Sequence, residues 1–261
     1  MSVEGKTIVV SGAASGIGAE TASMLKAGGA TVIAVDRNQP AAGSFARFIQ
    51  ADLSEPASIR DAARSVGSGI DGLCNIAGLP PTRGRVAVIQ VNFLGLREFT
   101  EAMLPNFNNG AAIVNLASLA GIGWPDAGKA IPALLALRDF NGVAALCDAH
   151  QVDDARSYFF SKEALIVWTM RNRWSWRERG IRMNALSPGP VQTPILQDFL
   201  ETLGARAEED MRVMDRPGRP EDVAPVVAFL CSDDSAWIRG SNIPCDGGMS
   251  SHVLLNMNGL V

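Results

Sequence analysis

Tyr158-Phe159-Phe160-Ser161-Lys162 holds the only tyrosine of the 261-residue chain, four positions before a lysine. On a helix, positions i and i+4 share a face one turn apart, so a phenol and an ammonium meet there. The chemistry open to such a pair is proton transfer. A phenol titrates near ~10 and is a poor base at neutral pH, and a fixed cation beside it favours the phenolate. An ordinary surface pair has the same spacing, so the reading depends on what the rest of the chain supplies.

The N-terminal end supplies a nucleotide site. Lys6-Thr-Ile-Val-Val-Ser11 is a β-branched apolar run, as a buried parallel strand should be. Ser11-Gly12-Ala13-Ala14-Ser15-Gly16-Ile17-Gly18 follows, then a predicted helix over 19–27 and a second strand, Thr31-Val-Ile-Ala-Val-Asp36. Strand, glycine-rich turn, helix and strand in this order place Gly12, Ser15, Gly16, Ile17 and Gly18 around a pyrophosphate at a helix N-terminus. Asp36 stands where a carboxylate can accept hydrogen bonds from a ribose hydroxyl and repel a 2′-phosphate, which points to NAD. Arg37 is the counter-signal, since an arginine there can hold that phosphate; a turn role for Asp36 is the bland alternative.

The elements that must position these residues alternate along the whole chain. Strands are predicted over 47–52, 71–75, 112–116, 181–186 and 242–245. Helices are predicted over 56–66, 86–106 (with Asn92 inside), from Tyr158 to about Arg177, and over 220–231. This is an α/β pattern: one doubly wound parallel sheet, a single Rossmann-type domain over 1–261. Apolar residues make up 47% and charged residues 19%, as suits strands covered on both faces. The net charge of −4 gives no support to nucleic-acid binding. Basic residues over 171–182 read as a solvated helix end. No apolar run reaches membrane-spanning length and no signal peptide is evident, so a cytoplasmic location is expected. Cys74, Cys147, Cys231 and Cys245 lack metal-ligand spacing and read as free thiols; His150 and His252 have no partner motif, and no metal is expected.

Seven signals in order carry a family resemblance over essentially the whole length: the Ser11–Gly18 motif, Asp52-Leu53, Asn75-x-Ala77-Gly78, Asn92, Ser118, Tyr158-x-x-x-Lys162, and Pro188-Gly189 with Thr193. The chain resembles the short-chain dehydrogenase/reductase family. The resemblance implies a catalytic tetrad of Asn92, Ser118, Tyr158 and Lys162. It also implies that Asp52 and Leu53 meet the adenine, that Asn75, Ala77 and Gly78 run along the cofactor, and that Pro188, Gly189, Val191 and Thr193 meet the nicotinamide. Tyr158 and Lys162 then also touch the cofactor. In these roles Tyr158 is acid or base, Lys162 tunes it, Ser118 holds the substrate oxygen and Asn92 holds a water leading to Lys162. Ser11, Ile76 and Ala117 depart from the commonest family residues without removing a reacting group.

Spacing is the larger departure. Ser118 and Tyr158 stand 40 positions apart, far more than in many relatives. The extra stretch, 124–156, reads as a helical insert of two short helices broken at Asn141-Gly142. Its length resembles the bacterial 3α-hydroxysteroid dehydrogenase/carbonyl reductase branch. Val35-Asp-Arg-Asn, Asp71-Gly-Leu-Cys-Asn-Ile-Ala-Gly78, Glu163-Ala-Leu-Ile-Val-Trp168 and Pro188-Gly-Pro-Val resemble the coniferyl-alcohol dehydrogenases. Either branch implies a bulky hydrophobic alcohol or carbonyl substrate. Ile195, Leu196, Phe199, Leu200 and Leu203 are the candidate lid face, with ordinary helix core as the alternative. A non-catalytic nucleotide-binding regulator is the rival from another class. Relatives commonly pair through the tyrosine helix and the helix before the serine strand. An insert beside that face leaves the C-terminal surface (220–231 and 242–245), so a homodimer is expected rather than a tetramer.

Overall fold

The computed structural model describes residues 2–203 and 213–260, with the side chains of 199–203 outside that description. Seven strands, β1 (Thr7–Ser11), β2 (Thr31–Asp36), β3 (Arg47–Gln50), β4 (Ile70–Asn75), β5 (Phe107–Leu116), β6 (Arg182–Pro188) and β7 (Asn242–Cys245), form one sheet in the order β3-β2-β1-β4-β5-β6-β7. Every pairing is parallel. The doubly wound single-domain fold read from the sequence is the fold observed. Strand order reverses between β1 and β4, and a crevice opens there at the carboxyl ends of the strands.

The central strands are buried on both faces because helices cover both. Ile8, Val9, Val10, Leu73, Met183, Ala185 and Leu186 are fully buried. Each large apolar side chain so placed contributes roughly 1.5–3 kcal/mol. One layer holds α1 (Gly16–Ala27) against a C-terminal helix over Pro220–Cys231. The other holds α2 (Pro56–Val66), α3 (Arg85–Ile89), α4 (Leu96–Met103) and the helix that carries Tyr158, Asp154–Arg171.

Three elements differ from the sequence reading. α1 begins at Gly16 rather than residue 19, so Gly16, Ile17 and Gly18 form its first turn. The helix expected over 86–106 is interrupted: α3 and α4 flank a π-helical segment, Gln90–Gly95, that contains Asn92. The Tyr158 helix stops at Arg171 because Asn172 turns its side-chain amide onto the Trp168 carbonyl (2.8 Å), and the chain tightens into 3₁₀ turns. The basic run beyond it is not a solvated end throughout. Arg182 is buried and donates to the Leu230 and Ser232 carbonyls and to Ser235 Oγ, which ties β6 to the C-terminal helix.

The insert forms α5 (Ala130–Ala136) and α6 (Val143–Ala149), with a 3₁₀ turn at Phe140–Gly142 between them. The helix that follows, α7, is Asp154–Arg171. Ile131, Leu134, Phe140, Val143 and Cys147 are buried; α5 packs on α7 and α6 on α3. Buried Arg97 on α4 donates to the Leu135 and Leu137 carbonyls at the end of α5. Burial lowers Arg97 to about 10, with Arg138 nearby adding to the shift and Glu101 and Glu98 offsetting it only in part. The Gln90 amide reaches the Phe140 carbonyl (3.1 Å), and Arg85 pairs with Asp148 (2.5 Å). The insert is therefore an integral part of the core. Two further helices complete the described chain: α8 (Pro194–Leu203) and, after α9 (Pro220–Cys231), an α10 (Met249–Met257) that the sequence reading did not foresee. Among the described residues no helix is long and apolar enough to cross a membrane.

Candidate active site

The glycine-rich turn is shaped by close approach. A Cβ on Gly18 would lie 2.0 Å from the Gly12 carbonyl oxygen, and one on Gly12 would lie 2.6 Å from the Ala77 amide nitrogen. Only glycine at both positions lets α1 start directly above the end of β1, with the β4 strap alongside. Ser11 fixes that strap: its hydroxyl accepts from the Ile76 amide (3.1 Å) and donates to the Cys74 carbonyl (3.4 Å). The helix start is left open. Ser15 makes no side-chain cap bond and no acidic residue lies in the first turn. An uncapped N-terminus facing a crevice is a site for an anion such as a pyrophosphate.

The crevice is a cleft of about 240 Å³. Of the predicted cofactor residues, Gly12, Ser15, Gly16, Ile17, Gly18, Asp36, Asp52, Leu53, Ala77, Gly78 and Thr193 line it. Asn75, Tyr158, Lys162, Pro188, Gly189 and Val191 do not, although Lys162 bonds the carbonyl of the lining residue Leu116. Asn75 turns inward instead, donating to Thr100 Oγ1 and Asn115 Oδ1 (both 2.9 Å), and so joins α4 to the sheet. Val191 packs into the core beside α9, and the Gly189 amide bonds the Cys245 carbonyl. Sequence reasoning missed Leu79 and Val91 among the lining residues. The signal for Leu79 was Asn92, three-dimensional neighbour but distant in sequence.

At one end of the cleft Asp36 is held in place. Its Oδ2 accepts from the Ala14 amide and its Oδ1 from the Asn38 amide, both at 2.9 Å. Arg37 leans the other way, 4.0 Å from Asp52 Oδ2, with its side chain mostly exposed. Burial alone would raise Asp52, but hydrogen bonds from the Ser54 hydroxyl and amide, with Arg37 nearby, hold it below the usual carboxylate value.

At the other end stand the four residues of the implied tetrad, brought from three elements. Ser118 lies two residues past β5 and caps the 3₁₀ turn Leu119–Gly121; its Oγ accepts from the Ala120 amide (3.1 Å), and its side chain hydrogen-bonds Tyr158. Tyr158 and Lys162 share one face of α7, with Lys162 Nζ 5.5 Å from the Tyr158 ring centroid. Lys162 Nζ donates to the Leu116 carbonyl (2.7 Å) and lies close to Gly78. Asn92 clamps the strap from below. Its Oδ1 accepts from the Leu79 amide (2.7 Å) and its Nδ2 donates to the Leu79 carbonyl (3.0 Å). Nδ2 also lies 3.5 Å from Ser161 Oγ, so the same amide ties the strap to α7. Asn92 lies within a π-helical segment, a local departure from the α-helix that often marks functional sites.

Electrostatically the pair differs from the sequence expectation. Burial raises Tyr158 to about 12, opposed only in part by the Ser118 hydrogen bond. Burial lowers Lys162 to about 8. Lys162 therefore does not depress the phenol in the chain by itself, because both groups lose solvent and the ammonium is directed at Leu116. Two buried groups whose charged forms are each disfavoured singly can stabilise each other when both ionise.

On the substrate side, Ile195 and Leu196 are half-buried at the start of α8. The predicted lid residues Phe199, Leu200 and Leu203 have side chains outside the described residues. Trp124 packs against the core where the insert leaves β5, and the Arg156–Glu163 ion pair (2.6 Å) sits beside it on α7, with Glu163 Oε1 against Gly123. Cys74, Cys147 and Cys231 are buried and Cys245 is half-buried, all as free thiols.

Comparison with known proteins finds related chains. Residues 6–128 match a family model described as short chain dehydrogenase, and 142–250 match one described as enoyl-(acyl carrier protein) reductase. A coniferyl-alcohol dehydrogenase from Pseudomonas sp. is 44% identical, over 96% of this chain and 99% of its own. The 3-alpha-hydroxysteroid dehydrogenase/carbonyl reductase of Comamonas testosteroni is 31% identical, over 94% and 96%. The crystal structure of a 3-alpha-hydroxysteroid dehydrogenase from Pseudomonas sp. B-0831, complexed with NADH, superimposes with a TM-score of 0.81 at 31% identity, covering 95% of this chain and 98% of that one.

Proposed function

Because the chain belongs to the short-chain dehydrogenase/reductase family, an oxidoreductase family acting on alcohol and carbonyl groups with a nicotinamide cofactor, we propose that it is an NAD-dependent dehydrogenase of a bulky, coniferyl-type aromatic alcohol. The observation that carries this reading is the Ser118–Tyr158 hydrogen bond, with Lys162 one turn on and bonded to the carbonyl of Leu116, a residue that lines a cleft suited to a dinucleotide.

The donor set fits the cofactor. The open first turn of α1 suits the pyrophosphate, and Asp36 suits the ribose hydroxyls at the adenine end. Residues 51–53 would wall the adenine, and Ala77, Gly78 and Thr193 would hold the nicotinamide half. When bound, a nicotinamide would supply the hydride chemistry at the alcohol or carbonyl carbon. The chain handles the proton. Tyr158 takes it from the hydroxyl in oxidation and gives it back in reduction. Ser118 holds the substrate oxygen within reach of Tyr158. Lys162 keeps a positive charge under the phenolate. Asn92 acts at one remove, by fixing Leu79 and with it the strap that carries Gly78.

The coniferyl-type preference is supported by the 44% identity to a coniferyl-alcohol dehydrogenase and by the apolar Ile195 that lines the cleft. It is tested by measuring kcat/KM with NAD⁺ across cinnamyl-type alcohols and 3-hydroxysteroids. The expected result is the highest value for a 4-hydroxy-3-methoxycinnamyl alcohol. A higher value for a 3α-hydroxysteroid replaces the substrate reading with the hydroxysteroid one, which the TM-score of 0.81 favours.

The assembly proposed is a two-fold dimer through α9 and β7. The insert packs on α3 and α7 and is tied to α4 through Arg97 and the Arg138–Glu101 pair, whereas β7 is an open sheet edge. Trp237, 97% exposed, stands beside it, and α10 adds exposed Leu254, Leu255 and Met257. Light scattering is expected to give twice the chain mass, and Trp237→Asp to shift it towards the monomer. A tetramer at working concentration contradicts this interface.

A further inference from the structure

The π-helical segment Gln90–Gly95 does more than carry Asn92. Val91 lines the cleft, and at the far end of the segment buried Gly95 meets the opposite wall. A Cβ on Gly95 would lie 1.9 Å from the Leu53 carbonyl oxygen and 2.9 Å from its carbon, closer than at any other helical interior glycine in the described chain. Both are backbone atoms, so no rotamer change relieves the clash. Residues 51–53 are held from the other side as well: Ser58, on α2, accepts a hydrogen bond from the Asp52 amide (2.9 Å). The wall formed by Ala51, Asp52 and Leu53 is thus gripped between a serine hydroxyl and the bare backbone of Gly95.

We propose that Gly95 is a positioning residue for the adenine half of the cofactor. Its missing side chain lets the Leu53 carbonyl close onto the π segment, which sets the width of the slot between residues 35–38 and 51–53. One short segment then fixes both walls of the cleft, Leu79 through Asn92 and Leu53 through Gly95. A methyl at position 95 must displace Leu53 into the slot or push the segment away from it. Gly95 touches neither substrate nor reacting atoms, so its effect belongs to cofactor affinity and not to the chemical step.

This rests on the cofactor reading given above, and the probe separates the two. ADP-ribose carries the adenine half without the nicotinamide, and its Kd is measured by calorimetry for the wild type, Gly95→Ala and Ser58→Ala. Gly95→Ala is expected to raise that Kd at least tenfold, with kcat at saturating NAD⁺ within about threefold of the wild type. Ser58→Ala removes the opposing hold without adding bulk, and is expected to raise it about threefold with kcat unchanged. If Gly95→Ala does not fold, Ser58→Ala decides. Wild-type affinity in the variants that fold overturns the proposal, and so does a loss of kcat as large as the loss of affinity. A wild type that binds no ADP-ribose overturns the cofactor reading itself and this inference with it.

Discussion

Replacing Tyr158 by phenylalanine lowers turnover at least ~100-fold, the usual scale for losing a general acid–base group, while NAD⁺ affinity stays near that of the wild type. The ring is kept, so the packing around α7 is kept; what disappears is one hydroxyl hydrogen-bonded to Ser118. A deletion confined to proton transfer lowers kcat and kcat/KM together. Turnover within a few-fold of the wild type would remove Tyr158 from the reaction.

The pH dependence follows from the same pair. Burial raises Tyr158 to about 12 and lowers Lys162 to about 8, so at neutral pH the phenol is neutral. Oxidation needs the deprotonated phenol, so its kcat/KM rises with pH, about tenfold per unit below the apparent pKa, while carbonyl reduction falls as the acid is lost. A positive nicotinamide ring and a charged Lys162 both favour the phenolate, so binding of NAD⁺ moves the phenol downward. Since Tyr158 is the only tyrosine, its phenolate absorbance reports this directly. The expected midpoint is about 12 in the chain alone and below ~10 with NAD⁺. Lys162→Met holds the midpoint high in both states. A flat oxidation profile between pH 6 and 9 is incompatible with this assignment.

What the sequence made legible was whatever depends on local pattern. β-branched runs marked the strands, Pro56 and Gly67 bracketed α2, and Tyr158 and Lys162 met because helical spacing puts them together. What it hid depends on non-local packing. Asn92 sat in a predicted helix as a residue that such a helix disfavours, and the anomaly was real. Its explanation, a π turn closed on the backbone of Leu79, needs the strap after β4 in place. Asn75 looked like a cofactor residue through its motif, yet its amide is drawn inward by Thr100 and Asn115, each remote in sequence. The rise of Tyr158 was missed for a related reason. Spacing reports that a cation is near, but the sign of the shift depends on how much water both groups lose, and that is a property of the assembled core.

Replacing Asp36 by alanine narrows the preference for NAD⁺ over NADP⁺ by on the order of 10- to 100-fold, since a like-charge contact with a bound 2′-phosphate costs several kcal/mol. The geometry sets up that contact: two backbone amides, of Ala14 and Asn38, fix the carboxylate at the cleft wall, so it cannot swing aside to admit a phosphate. Arg37 does not offset it in the wild type, being placed towards Asp52 with most of its side chain in solvent. Once the carboxylate is gone, the guanidinium becomes the nearest charge to the phosphate and can engage it bidentately. Asp36→Asn removes the charge but keeps an acceptor for one of the two amides. It therefore separates repulsion from loop order: an equal narrowing in both variants assigns the effect to charge, whereas a loss of NAD⁺ affinity confined to the alanine assigns it to the turn. Reversing the residue at 37, Arg37→Glu in the Asp36→Ala background, is expected to abolish the gain with NADP⁺. The measurement is kcat/KM for each cofactor at saturating alcohol, and a wild type that favours NADP⁺ would refute the role given to Asp36.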